Sequence, residues 1–265
     1  MDRTNQLLVR LSVAAAMVVG GCADPEPASS ADSTEAVEAP ARTTPAEATL
    51  WVWHGATDLR GLDEASEGRV GVAYLARTVL IRRGGHFVRP RRSPLQLDDA
   101  TPRSAVVRIE VEADVAATDL DLSALVGEIA PVFEERASGL QIDFDAPASF
   151  RPAYAELLTQ LRAALPEGWS LEMTALGSWC LQDRWLADVP VDGIVPMLFG
   201  PGHERELTFA ALREGPLPEP RCRVSHGIRE GQRSPRLPDR LYLFPDGGPW
   251  TVDRAMAAVR AQGPP

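Results

Sequence analysis

Apolar and polar positions follow two different periods along the chain, and these predict strands and helices in turn from about residue 50 onward. A period of two is typical of half-buried strands, whereas apolar side chains every three or four positions indicate helices. The predicted strands are 50–54, 69–75, 105–111, 138–145, 169–176, 193–199, 221–225 and 240–244. The other predicted elements are helices at 119–135, 152–165, 204–213 and 251–262, a helical turn at 183–186, and a hairpin of 78–82 with 86–90 about two glycines.

The regular spacing of these elements predicts the fold class. Eight strand-like units alternate with helical segments, which favours parallel strands joined by crossovers and therefore a (β/α)₈ barrel of the TIM type, an α/β fold. The domain at 49–265 is short for that fold, so we expect a compact or partly degenerate barrel in which some helices are reduced or missing. An open doubly wound sheet is the alternative.

The strand predicted at 138–145 carries the strongest chemical signal. Its alternation places three polar side chains on one face, namely Gln141, Asp143 and Asp145. Burying that face is costly without polar partners or a solvent-filled cleft. Two neighbouring carboxylates are typical of acid/base sites, because each raises the pKa of the other until one group holds a proton while its neighbour stays ionised. In the purely structural alternative, the carboxylates at the strand end form salt bridges with arginines and have no catalytic role.

Functional residues of TIM-type barrels lie at the carboxyl ends of the strands. We therefore predict that Asp143 and Asp145 are catalytic. The predicted substrate-binding residues, each at or near a strand end, are Trp53, His54, Arg108, Glu110 and Trp179.

Each predicted binding residue has an alternative role. Trp179 follows the fifth strand and is the candidate for stacking on a sugar ring, but tryptophans such as Trp53 are often mostly buried. His54 could instead be a core histidine that is bonded to the backbone. Arg108 and Glu110 could form an ion pair inside the barrel that orients the two aspartates.

The first 48 residues are predicted to target and tether the protein. Residues 1–21 have flanking arginines and an apolar stretch that is too short to span a bilayer. They end in Gly20-Gly21-Cys22, which resembles a bacterial lipobox, so Cys22 is predicted to be lipidated. Ala23 follows, which favours the outer membrane facing the periplasm. Residues 22–48 are rich in Ala, Pro and Glu, and we expect a disordered tether. The bilayer is then a partner through a lipid anchor.

Charge and motif content exclude several classes of function. The net charge of −10 argues against a nucleic-acid partner, since phosphate binding needs a basic face. The sequence has no Gly-rich phosphate loop, no GxSxG elbow and no close Cys or His spacing for zinc, so we expect no cofactor and no metal. A hydrolase in which His54 or His226 joins the two aspartates around a divalent cation is a minor alternative.

Two cysteines remain after lipidation, Cys180 and Cys222. A disulfide is permitted in an oxidising periplasm. The predicted boundaries place one cysteine at the exit of the fifth strand and the other at the start of the seventh, at opposite ends of a barrel. That placement disfavours the bond, and the sequence leaves the pairing open.

Five blocks of sequence resemble a known bacterial lipoprotein family, catalogued as domain of unknown function 3142. These blocks are 51–55, 71–75, 139–146, 174–180 and 195–199. The resemblance covers most of residues 50–250, and it implies no established activity.

A more distant resemblance concerns the acidic strand. Residues 138–145 are similar in outline to the DxxDxDxE strand of the family-18 chitinase-like glycosidases. In those enzymes the final Glu is the general acid and the Asp two residues earlier assists the N-acetyl group of the substrate. The resemblance implies that Asp145 is the acid and Asp143 the assisting group. Ser138 and Gln141 replace the first two acidic positions, and Asp145 is one methylene shorter than Glu, which puts chitinase chemistry in doubt.

Together these features predict a membrane-anchored lipoprotein with a glycosidase-like barrel. It would act on or bind an envelope or extracellular polysaccharide through the Asp pair at the strand end, so a polysaccharide is the predicted ligand. The alternative is a non-catalytic, glycan-binding or envelope scaffold lipoprotein on a decayed glycosidase fold. Hydrolysis and binding are both left open at this stage.

Overall fold

A computed structural model describes residues 47–53, 55–182, 184–200 and 202–263. The predicted signal peptide, the lipidation residue Cys22 and almost all of the predicted tether lie outside the described residues, as does His54. Within the described part, none of the helices has the length and apolar character needed to cross a membrane.

The described part of the chain contains strands and helices in alternation. In chain order the strands are β1 (Ala48–Val52), β2 (Thr57–Asp58), β3 (Val70–Arg82), β4 (Gly85–Pro90), β5 (Leu95–Gln96), β6 (Arg103–Val111), β7 (Gly139–Asp143), β8 (Ser170–Leu176), β9 (Gly193–Met197), β10 (Ser225–Arg229) and β11 (Arg240–Phe244). The α-helices are α1 (Leu62–Ser66), α2 (Leu122–Ile129), α3 (Arg151–Ala164), α4 (Trp179–Gln182), α5 (Gly202–Glu214) and α6 (Val252–Arg260).

Eight of these strands form a closed parallel barrel in the order β1-β3-β6-β7-β8-β9-β10-β11. The ring closes because β1 pairs in parallel with both β3 and β11. The predicted (β/α)₈ barrel is therefore confirmed, and closure rules out the open sheet. Several helices are reduced, since α1 has five residues and α4 has four. Between β3 and β6, residues 83–102 form β4, which pairs antiparallel with β3, and β5, which pairs with β2 in a small separate sheet.

Strand alternation divides the buried side chains into two sets. One set packs between the strands and the surrounding helices, and it includes Leu140 and Ile142 of β7 and Leu157 of α3. The other set fills the inside of the barrel, and its buried members are Trp51, Ala73, Val106, Val195, Tyr242 and Phe244. Successive residues of a strand point to opposite faces, so Gln141 and Asp143 of β7 face the inside of the barrel.

Prolines and capping side chains explain where the predicted boundaries differ from the structure. The predicted strand at 221–225 is wrong by four residues, because Pro220 starts a 3₁₀ turn (Pro220–Cys222) and β10 begins only at Ser225. The Glu219 carboxylate accepts the Arg221 N–H at 3.0 Å and caps this turn. In the predicted helix at 119–135, α2 ends at Ile129, just before Pro131.

The boundary of β10 also decides the cysteine pairing. Cys180 in α4 and Cys222 in the 3₁₀ turn form a disulfide, with Cα atoms 6.0 Å apart. The expected separation to opposite ends of the barrel is wrong, because neither cysteine lies in a strand and both are buried in the layer outside the barrel. The Glu219 N–H donates to the Cys180 carbonyl at 3.2 Å and holds the two segments together.

Candidate active site

An open cleft lies at the carboxyl end of the barrel strands. Its volume is about 790 Å³. The strand ends and the loops that follow them supply its walls, which include Trp53, Asp143, Asp145, Met197, Arg229 and Phe244. This is the end of a (β/α)₈ barrel at which active sites are found.

Asp143 is the last residue of β7 and lies at the bottom of the cleft. Its carboxylate accepts hydrogen bonds from Thr174 Oγ1 at 2.8 Å and from Arg108 Nη1 at 2.7 Å. The residue is 1% exposed. Burial raises the pKa of Asp143, the positive charge of Arg108 opposes that rise, and the negative charge of Asp145 adds to it. Its orientation is therefore fixed by partners on two neighbouring strands.

Asp145 lies two residues further on, in the loop after β7, and its side chain is 47% exposed. Its nearest cationic partner is Arg108, whose Nη2 lies 4.0 Å from Asp145 Oδ2, beyond hydrogen-bonding distance. Desolvation raises the pKa of Asp145, Arg108 counteracts this, and the charge of Glu204 raises it further. The cleft thus holds an accessible carboxyl group with a raised pKa beside a buried, immobilised one.

Arg108 on β6 connects the acidic groups of the site. Besides its contacts with the two aspartates, it donates from Nε to Glu110 Oε1 at 2.9 Å, and its guanidinium lies 5.0 Å from the centre of the Trp53 ring. The structure therefore brings Arg108, Asp143, Asp145 and Trp53 together. Glu110 contacts this group through Arg108 but does not line the main cleft, which matches the orienting role given above as its alternative.

Aromatic side chains form the apolar part of the cleft. Trp51 and Trp53 stack with ring centres 5.1 Å apart, and Phe244 lies 4.5 Å from both Trp51 and Phe199. Trp51 is 3% exposed, whereas Trp53 is only partly buried. Arg91 donates from Nη1 to the Trp53 carbonyl at 2.8 Å and so fixes the backbone of this wall.

Trp179 is not part of the cleft, and its burial contradicts the predicted role in sugar stacking. It is 2% exposed, lies edge-on to Trp185 at 5.4 Å and has the Arg151 guanidinium 5.4 Å from its ring centre. The reason is local, because α4 begins at Trp179 and its indole packs into the outer helical layer. Phe199 and Phe244 provide aromatic surface in the cleft instead.

The structure does not bring His226 into the site. Gly227 faces the inside of the barrel, where an added Cβ would lie 3.0 Å from the Phe244 ring, so the neighbouring His226 faces outward. His226 is buried, pairs through Nδ1 with Ser234 Oγ at 2.8 Å, and has its pKa lowered to about 4 by burial. Across the described ranges there is no cluster of His, Cys, Asp and Glu suited to a metal ion. His54 lies outside those ranges.

Sequence reasoning missed three charged residues of the cleft, namely Glu204, Arg205 and Arg229. Glu204 lies in the first turn of α5, lines the cleft and accepts a hydrogen bond from the Ser178 hydroxyl. Arg229 ends β10, and its guanidinium lies 5.7 Å from the centre of the Phe199 ring. Their positions just after β9 and at the end of β10 could have identified them, but the wrong boundary for β10 hid Arg229.

Comparisons with known proteins give little further guidance. No protein-family model matches the chain, so the resemblance to domain of unknown function 3142 stays a prediction. No curated protein matches it either. Among solved structures, the chain is similar to the crystal structure of the Bacillus cereus spore cortex-lytic enzyme SleL, with a TM-score of 0.46 and 16% sequence identity. The match covers 71% of this chain and 51% of that chain, so this chain spans about half the length of that protein. At this level of similarity no function is transferred.

Proposed function

We propose that this protein is a glycoside hydrolase, anchored to the bacterial outer membrane through Cys22, that acts on an envelope or extracellular polysaccharide. One observation carries the proposal: the partly exposed Asp145 carboxyl, with its raised pKa, lies in an open cleft beside the buried Asp143. Glycoside hydrolysis needs a proton donor and a nearby negative charge, and two carboxyl groups commonly supply them.

Asp145 is the proposed general acid. A carboxyl group whose pKa is raised keeps its proton closer to neutral pH and can give it to the departing glycosidic oxygen. Its exposure to the cleft allows contact with a substrate. Asp143 is the proposed stabilising group: burial raises its pKa too, but the charge of Arg108 and the hydrogen bonds that Thr174 and Arg108 donate oppose that rise and favour an ionised carboxylate at a fixed place in the cleft.

The aromatic surface supports a sugar ligand. Trp53, Phe199 and Phe244 line the cleft, and the ring edges and faces that they leave accessible can pack against the C–H surfaces of sugar rings. Charged groups lie beside these faces, which is the usual composition of a small-molecule site, with apolar walls and a few polar groups that fix orientation.

A second candidate function is glycan binding without hydrolysis. The observation that favours it is the position of Arg108, 4.0 Å from Asp145. The two groups already form a loose ion pair, and a small movement of the guanidinium would add a hydrogen bond, which lowers the pKa of the carboxyl group further and removes the proton donor. The shorter reach of Asp compared with Glu points the same way.

Release of reducing ends from a panel of glycans distinguishes the two functions. The panel contains peptidoglycan glycan strands and oligosaccharides of chitin and cellulose, and the variants are Asp143→Asn and Asp145→Asn. Asp99→Asn is the matched control, because Asp99 pairs with Arg136 on the surface and lines neither the cleft nor its loops.

Hydrolysis predicts release by the native protein and by Asp99→Asn, and its loss in both cleft variants at a temperature at which thermal unfolding shows each variant to be folded. Binding without hydrolysis predicts no release from any glycan, together with glycan affinity that survives both cleft substitutions. The anchor is tested separately, by the fractionation of Cys22→Ser: the proposal expects this variant to be lost from the outer membrane, and its retention there would contradict it.

A further inference from the structure

A second, smaller cavity lies directly beside the cleft and shares two residues with it. Its volume is about 330 Å³, against about 790 Å³ for the main cleft. Arg108 and Asp145 line both spaces. The other walls of the second cavity come from the end of β6 and from the loop after β7, and they include Glu110, Glu112, Ala113, Val115, Phe144 and Pro147. Asp145 therefore lies on the border between two open spaces.

The second cavity has an apolar floor and a charged rim. Val115 is 8% exposed and Phe144 is 3% exposed, so both are packed in place before any ligand arrives. On the rim, Glu110 accepts from Arg108 at 2.9 Å and Glu112 lies 3.6 Å from Arg82. Apolar walls with a few polar groups around them suit a ligand of the size of one sugar unit. Among the residues that line this cavity, Arg108 is the one cation beside three carboxylates, which disfavours an acidic sugar.

We propose that a glycan chain crosses the Asp145 border, with sugar units bound in the main cleft on one side and a neutral unit in the second cavity on the other. The inference rests on the proposed function, in which Asp145 gives its proton to the glycosidic oxygen. That oxygen must lie within hydrogen-bonding reach of Asp145. Because open space continues on both sides of Asp145, sugar units can be held on both sides of the cleaved bond.

Binding of oligosaccharides of increasing length tests this arrangement. The protein carries Asp145→Asn so that the probes bind without being cut, and the probes are chitin and cellulose oligosaccharides of two to six sugars. We expect Kd to fall by about tenfold or more between the shortest and the longest probe of the series that binds, since only the longer chains fill both spaces.

A substitution that fills the second cavity tests whether the extra affinity for long probes comes from that cavity. Ala113 is exposed and lines that cavity, so Ala113→Trp fills it without disturbing the core. We expect this variant to lose the extra affinity for long probes while keeping its affinity for the shortest one. Ala116→Trp is the control, because Ala116 is also exposed, lies three residues further on and lines neither space. Thermal unfolding checks that both variants fold.

The outcomes separate this inference from the proposed function. Cleavage by the native protein, with no gain of affinity beyond the shortest probe, overturns the inference and leaves the hydrolase. A length-dependent gain that Ala113→Trp removes, without cleavage by the native protein, supports the inference and overturns hydrolysis. A gain that survives Ala113→Trp overturns the second cavity as the binding place. The absence of any binding overturns both.

Discussion

Two polar layers lie inside the same barrel, and they differ in how far their groups are satisfied. The layer nearer the amino ends of the strands is centred on Glu172 of β8, which accepts from Tyr242 OH at 2.5 Å, from Gln141 Nε2 at 3.2 Å and from Arg240 Nη1 at 3.2 Å. Burial raises the pKa of the Tyr242 phenol, so it remains a donor. Glu172 is 4% exposed, and every one of these groups has a partner.

The layer at the carboxyl ends of the strands contains similar residue types, but one of its acidic side chains is open to the cleft. The same two strands supply it, since Asp143 follows Gln141 on β7 and Thr174 follows Glu172 on β8. Here each oxygen of the Asp143 carboxylate accepts one hydrogen bond, but the next acidic residue, Asp145, opens to the cleft. A polar group inside a barrel is therefore no evidence of a site by itself. What distinguishes the two layers is an accessible acid whose pKa is shifted by its surroundings.

The largest expected effect is on activity, and it sets Asp145 apart from the buried acids. Asp145→Asn keeps the size of the side chain but cannot donate a carboxyl proton, so we expect the rate of glycan cleavage to fall by about 10²–10⁴-fold. Initial rates of reducing-end release measure this. The free energy of unfolding should change by less than about 0.5 kcal/mol, because the side chain is half exposed. A fall in rate explained by unfolding would place Asp145 with the structural acids.

The second effect is on stability, and it concerns the layer around Glu172 near the amino ends of the strands, which we call the lower layer. Glu172→Ala leaves the Tyr242 hydroxyl, the Gln141 amide and the Arg240 guanidinium without their shared acceptor. We expect a loss of about 3–5 kcal/mol in the free energy of unfolding, as for other buried ion pairs that lose one partner. Urea denaturation of Glu172→Ala beside Asp145→Ala makes the comparison directly. Similar losses in both variants would mean that the two layers do not differ as described.

The sequence carried enough information for the barrel but not for all of the site. The acidic face of β7 and its place at a strand end follow from a period of two, which depends on local sequence alone. The position of Trp179 does not, because the direction of its indole is set by the turn that starts α4. Glu204 was missed for a related reason: its position just after β9 was a signal, but whether the first turn of α5 lines the cleft depends on how that helix packs.

The lower layer was also beyond sequence reasoning. Gln141 was predicted to share a strand face with the aspartates, which is confirmed for Asp143 but not for Asp145, because β7 ends at Asp143; the partners of Gln141, Trp51 and Glu172, lie 90 and 31 residues away in the chain. Parallel strands meet through crossovers, so their register depends on how the whole ring closes. Without that register, a satisfied structural glutamine and a candidate active-site aspartate look alike in the sequence.

A smaller effect, on glycan affinity, is expected from the aromatic wall of the layer at the carboxyl ends of the strands, which we call the upper layer. Trp53→Ala removes the ring that faces the cleft and carries the Arg108 guanidinium at 5.0 Å. We expect Kd for the longest glycan bound to rise by about tenfold, the equivalent of roughly 1.4 kcal/mol. Trp53→Phe, which keeps a flat apolar face, should recover most of that affinity. Equal losses in both variants would point to displacement of Arg108 rather than loss of stacking.

The smallest expected effect is a shift in the pH dependence of the rate. It tests whether Asp145, whose pKa is raised, is the general acid. A general acid must be protonated, so the rate should fall as the pH rises through the pKa of Asp145. The charge of Glu204 contributes to raising that pKa. Glu204→Gln removes the charge but keeps an acceptor for Ser178, so the pKa of Asp145 falls and the alkaline decline of kcat/KM moves to lower pH. At pH values well below the decline, the rate should be unchanged.

Glu206→Gln, on the exposed side of the same helix, is the control and should leave the pH profile unchanged. A decline that stays where it was in Glu204→Gln would mean that another group donates the proton, and the upper layer would then lose the property that separates it from the lower one.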